Sequence, residues 1–268
     1  MSIEKQHFTA ENYILFEIKG FNNMILNNPQ KIELDDSIFR EILINDKLSE
    51  ITLYFDEDTN KEIKEITQYA HSVIFEIVIR FILNSEIDVS SPDYKVKLIR
   101  FDGKDQTEIT LNDRIPLREE FNFIRSFDSM DFLKEVLAGG KLINSSNELL
   151  YRKLFSIMKN TDRVVKYMVL YDFLMEIVSE GKARKEQKNV CDFIKAQGFD
   201  SGFNSIGFRQ TRRTGMSFEE DDFTYYRNEI AHAEFENDFN KYESLSSSIT
   251  NTIINKLIEV IHCAIKCL

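Results

Sequence analysis

The hydrophobic pattern of this chain changes period part-way along. Up to Gly139-Gly140 it mixes short alternating runs with one long helical stretch; beyond Asn144-Ser145-Ser146-Asn147 it repeats every three to four residues. A period of two belongs to half-buried strands and a period of 3.6 to amphipathic helices. The Gly-Gly and Asn/Ser cluster between the two patterns is the best boundary in the chain. It predicts an α+β domain over residues 1–140 and an all-α helical bundle over 148–268. Only nine Gly and three Pro occur in 268 residues, so helix predominates overall.

In the first half, Tyr13 to Ile18 and Ile51 to Phe55 are aromatic and β-branched and predict strands. Ile63, Ile66, Ala70, Val73 and Ile77 step by three and four, predicting a helix from about 61 to 84 that Thr59 caps. Lys95 to Phe101 and Thr107 to Leu111 alternate around Asp102-Gly103 as a hairpin. In the second half helices are expected over about 147–159, 162–179, 186–197, 218–235 and 240–267, with Gly181 and Gly198 stopping the second and third. A Gly-, Ser- and Arg-rich loop fills about 198–217.

Several function classes drop out. The opening residues carry no apolar secretory core, and no run reaches 18 apolar residues, so no membrane span is expected. The three cysteines, at 191, 263 and 267, make neither a disulfide framework nor a zinc spacing, which fits a reduced, cytoplasmic setting. No two histidines stand at metal-ligand spacing, and the Gly-rich phosphate loops and the G-x-S-x-G elbow are missing. The reading therefore includes no metal and no cofactor. The net charge of −11 argues against nucleic acid for the chain as a whole. Residues 181–215 are the exception, with eight Lys and Arg against three acids, and include Arg209, Arg212 and Arg213. This island is either an RNA-tracking surface or solvated loop charge.

The chemistry-bearing segment follows it: Asp222-Phe223-Thr224-Tyr225-Tyr226-Arg227-Asn228-Glu229-Ile230-Ala231-His232-Ala233. With Phe223 at zero on a helical wheel, Tyr226, Ile230 and Ala233 complete an apolar stripe near 280–340°. His232 falls at about 180°, away from that stripe, with Asn228 and Tyr225 beside it and Arg227 on the flank of the core face. The wheel predicts that Asn228, one turn before the imidazole, hydrogen-bonds it and sets its tautomer. His232 is then either a working group or a surface or interface histidine. Among the other histidines, His71 fits surface or core, His262 a packed position and His7 the terminus.

These residues resemble the HEPN family, whose signature is an Arg, then a polar residue, then a His separated from the Arg by four to six residues, on the penultimate long helix of a helical bundle. Arg227, Asn228 and His232 match it with four residues intervening, in the form seen in bacterial toxin and antiphage systems. The likeness covers about 148–268 and leaves the first half unplaced. It implies an all-α HEPN-like bundle that dimerises and cleaves RNA without metal, as a defence or toxin effector. His232 would be general acid or base, Arg227 would hold the scissile phosphate, and Asn228 would orient the histidine or touch the phosphate. Tyr225 would support the site, and Glu176 would face Arg227 or stand as an exposed glutamate. Arg209, Arg212 and Arg213 would contact RNA. The partners implied are RNA, a second copy of the chain, and an antitoxin or defence-system protein; residues 1–140 would sense a trigger or restrain the nuclease. A non-catalytic dimerisation, nucleotide-binding or adaptor module is the alternative from another class.

Overall fold

The computed structural model describes residues 12–21, 24–26, 28–34, 36–56, 62–84, 87, 89–101, 104–106, 125–127, 133, 136–137, 141–182, 184–202, 205–213, 216–235 and 238–268. The chain divides into two compact units, Met1–Leu142 and Ile143–Leu268.

The first unit contains β1 (Asn12–Lys19), β2 (Met24–Leu26), β3 (Gln30–Glu33), β4 (Phe39–Ile44), β5 (Glu50–Phe55), α1 (Ile63–Leu83), β6 (Asp93–Phe101), β7 (Lys104–Gln106) and β8 (Arg125–Phe127). Six strands form one antiparallel sheet in the order β3-β4-β5-β1-β6-β7, and β2 pairs with β8 in parallel. Alternation explains β1: Ile14, Phe16 and Ile18 are buried while Tyr13, Leu15 and Glu17 face the other way. α1 packs on the buried face through ring contacts of Tyr69 with Phe39, His71 with Phe16, and Phe81 with Phe21. α1 has the length and apolarity to cross a membrane by composition alone. In this fold Ile66, Ala70, Ile74, Val78 and Phe81 are instead core residues, and Glu76 pairs with Arg80 at 2.8 Å one turn on. The expected hairpin partner Thr107 to Leu111, the Thr59 cap and His7 lie outside the described residues; on the side of β6 away from β1, the paired strand is β7.

The second unit contains α2 (Glu148–Met158), α3 (Arg163–Val178), α4 (Gln187–Ala196), β9 (Phe208–Arg213), β10 (Met216–Asp221), α5 (Asp222–Phe235), α6 (Phe239–Ser248) and α7 (Asn251–Lys266). Its centre is α3, which packs against α2, α4, α5 and α7 and buries Tyr167, Leu170, Tyr171 and Leu174. Asp162 starts α3 by accepting the Val165 amide at 2.9 Å. Gly181, at φ 74°, stands just past its end in the left-handed conformation that glycine adopts freely.

Two expectations fail here. The unit is not an all-α bundle: an antiparallel hairpin, β9–β10, occupies the segment expected to be loop and the start of the expected fourth helix. The whole chain is α+β, and a helix-only HEPN bundle is not what this half forms. The cause is cross-strand pairing, which sets Arg209 opposite Glu220, Gln210 opposite Glu219 and Thr211 opposite Phe218. The closing helix is also two helices, because buried Ile249 interrupts it and Thr250 caps the next by accepting the Ile253 amide.

Candidate functional site

The site is built on the first turns of α5, which the hairpin delivers. Asp221, fully buried at the end of β10, accepts the Thr224 amide at 2.9 Å and the Thr224 hydroxyl at 2.6 Å, the geometry of a helix N-cap. The Cys191 thiol donates to the same carboxylate at 3.0 Å. Tyr171 Oη lies 2.8 Å from Thr224 Oγ1, and Tyr167 donates to the Phe223 carbonyl at 2.7 Å. Burial pushes both tyrosines above their ordinary range and lifts the Cys191 thiol to about 12, with Asp221 adding to the effect. These groups are neutral and structural; they fix the position of α5 on α3 and α4.

From that anchor, Phe223, Ile230 and Ala233 are buried, as the wheel predicts. His232 is exposed and has no hydrogen-bond partner among the described residues. Arg227 sits at the border, its side chain 30% exposed. Its Nη2 is 3.9 Å from Asp172 Oδ1 on α3, its Nη1 is 3.5 Å from Asn228 Oδ1, and its buried Nε–H has no acceptor among the described residues. A guanidinium carries five donors in a planar fork, so this one retains capacity for an oxyanion.

Asn228 departs from its expected place beside the histidine. It is buried, and its carboxamide is taken up elsewhere. Gln187 Nε2 donates to its Oδ1 at 2.7 Å, while its Nδ2 donates to Gln187 Oε1 at 3.2 Å and to Glu220 Oε1 at 3.0 Å. The wheel assumes one buried stripe, but α5 is covered on two sides: by α3 on one, and by α4 and β10 on the other. His232, one turn later, is exposed.

Of the two readings of Glu176, the exposed glutamate is the one found: it pairs with Lys153 at 2.6 Å, and that hydrogen bond holds its carboxyl below the usual range. The acid beside Arg227 is Asp172, one turn earlier on α3. Arg209 forms an ion pair with Asp222, and its guanidinium carbon lies 3.7 Å from the centre of the Tyr225 ring. Arg209 and Tyr225 thus brace the base of α5. Arg212 and Arg213 lie on β9 toward its turn, opposite Ser217 and Met216. Sequence reasoning missed Asp172, Gln187 and Glu220. Only Asp172 left a signal, as an acid in line with Glu176 on α3; the other two depend on a fold not readable locally.

Among the described residues no group of three His, Cys, Asp or Glu could hold a metal ion. No family model, curated protein or solved structure matches this chain.

Proposed function

We propose that this protein is a metal-independent endoribonuclease of HEPN type, working as an antiphage-defence or toxin effector in the cytoplasm. The observation that carries the reading is His232, an exposed imidazole without a partner among the described residues, on a helix anchored by buried Phe223, Asn228, Ile230 and Ala233. Arg227 supports it, since its charged and polar contacts among the described residues, at 3.5 and 3.9 Å, are long and it is partly in water. RNA brings its own nucleophile, the 2′-OH, so the protein needs a proton acceptor and a cation for the phosphorane charge. His232 fills the first role and Arg227 the second. The two side chains stand about 140° apart around α5. A second copy of the chain across a two-fold axis would let His232 of one subunit complete the Arg227 of the other. Three free cysteines suit a reducing compartment.

The test is incubation of total RNA with wild-type and His232→Ala protein in excess chelator. Cleavage by wild type alone supports the reading; equal cleavage by both, or none at high concentration, refutes it.

One observation favours the second reading, a non-catalytic dimerisation or adaptor module. Phe235 and Phe239, just beyond His232, are 86% and 73% exposed, which suits a protein contact. An inactive protein that dimerises only with both phenylalanines intact would select it.

A further inference from the structure

Both the nitrogen and the oxygen of the Asn228 carboxamide are engaged by the protein. Both Nδ2 hydrogens are used, one by Gln187 Oε1 and one by Glu220 Oε1, and Oδ1 takes the Gln187 amide at 2.7 Å. The contact left is sideways, from Arg227 Nη1 at 3.5 Å. Asn228 is 3% exposed. A group so enclosed cannot reach a phosphate or an imidazole without breaking buried hydrogen bonds, each costly to leave unmade. What it can do is present a fixed oxygen dipole to the neighbouring guanidinium.

The enclosing residues come from two separate elements. Gln187 opens α4, and Glu220 lies on β10. Glu220 is itself 5% exposed and takes the Thr211 hydroxyl of β9 at 2.9 Å through its other oxygen. A continuous chain therefore runs from Thr211 through Glu220 and Asn228 to Arg227, joined by Gln187 from the side.

We propose that Gln187 and Glu220 are positioning residues that clamp Asn228, and through it set the Arg227 guanidinium, so that Asn228 never contacts substrate and the β9–β10 hairpin governs the cation of the site. This rests on the ribonuclease reading for its catalytic consequence but not for its geometry. Displacing a charge-stabilising group by about an ångström costs up to about a hundredfold in rate. Gln187→Ala and Glu220→Ala should therefore lower kcat by about tenfold or more with little change in KM. Glu220→Gln keeps an oxygen for Asn228 and turns its amide toward the Thr211 hydroxyl, so it should recover most of that loss.

The deciding experiment follows the side chains by nuclear magnetic resonance, with or without RNA cleavage. In wild type the Asn228 carboxamide protons should exchange at least about tenfold more slowly than those of an exposed amide. The Arg227 Nε–H resonance should move in Gln187→Ala and Glu220→Ala and return toward wild type in Glu220→Gln. Asn228 protons exchanging at the solvent rate, or an Arg227 resonance indifferent to Gln187→Ala in folded protein, would overturn the clamp. Should Glu220→Ala not fold, Gln187→Ala at the rim of the network decides alone. Failure of wild type to cleave RNA removes the nuclease reading and leaves this measurement standing.

Discussion

Asp172 Oδ1 and Arg227 Nη2 approach to 3.9 Å, at the outer edge of an ion pair, with 51% and 30% of their side chains in water. An exposed pair of this kind contributes about 0–1 kcal/mol to stability, so its effect lies in competition for the guanidinium. Asp172→Asn should leave the melting temperature within about 4 °C of wild type. It should tighten RNA binding several-fold by removing an anion that competes with phosphate. Parallel thermal melts and fluorescence anisotropy at fixed salt check both halves; a large loss of stability would show that the carboxylate is structural.

Asp221 is the most consequential buried acid of the second unit. It caps α5 and accepts from Thr224 and Cys191 while fully out of water. Asp221→Ala removes a cap, about 0.5–2 kcal/mol, and strands buried donors at about 1–3 kcal/mol. A loss of about 2–4 kcal/mol in urea denaturation is expected, and RNA cleavage should fall with it as α5 loosens. A loss under about 1 kcal/mol would mean that water replaces the carboxylate.

Stability should respond to acid through His262. Its Nδ1 lies 2.9 Å from Tyr151 Oη in the helical core, and burial, with Lys266 adding, lowers its pKa from 6.5 to about 4. The folded chain therefore refuses a proton that the unfolded chain takes up. Stability from this group is fully present above pH 6.5, is lost as pH falls toward about 4, and is level below that. His262→Gln, which keeps an acceptor for Tyr151, should flatten the stability difference between pH 4 and 6.5 relative to wild type. Identical slopes in the two proteins would refute this account.

The cysteines should separate by reactivity. Cys191 is buried, with its thiol held near 12, whereas Cys267 is exposed. Thiolate is the reactive form. A chromogenic disulfide reagent should label Cys267 within the mixing time and Cys191 only at the rate of unfolding. Fast labelling of Cys191 in Cys263→Ser/Cys267→Ser protein would mean that the α4–α5 junction opens readily.

Most helices of the second unit are legible from sequence because their determinants lie within a few residues of one another. Asp162 caps α3 from three residues away, Gly181 stands just beyond its end, and Phe223, Ile230 and Ala233 share one face by spacing alone. The central strands of the first unit are legible for the same reason, since the aromatic and β-branched content of Tyr13 to Ile18 and Ile51 to Phe55 needs no knowledge of a partner. What the tertiary structure alone decided depends on residues distant in the chain. Phe208–Arg213 and Met216–Asp221 form a hairpin by pairing with each other residue for residue, which local Ser, Gly and Arg content conceals. Asn228 turns inward because α4 and β10 cover a second face of its helix, and Asp172 rather than Glu176 meets Arg227 because a single helical turn decides which acid reaches across. Spacing assigned Arg227 and His232 to one helix; only packing determined that one is braced at its rim and the other stands in water.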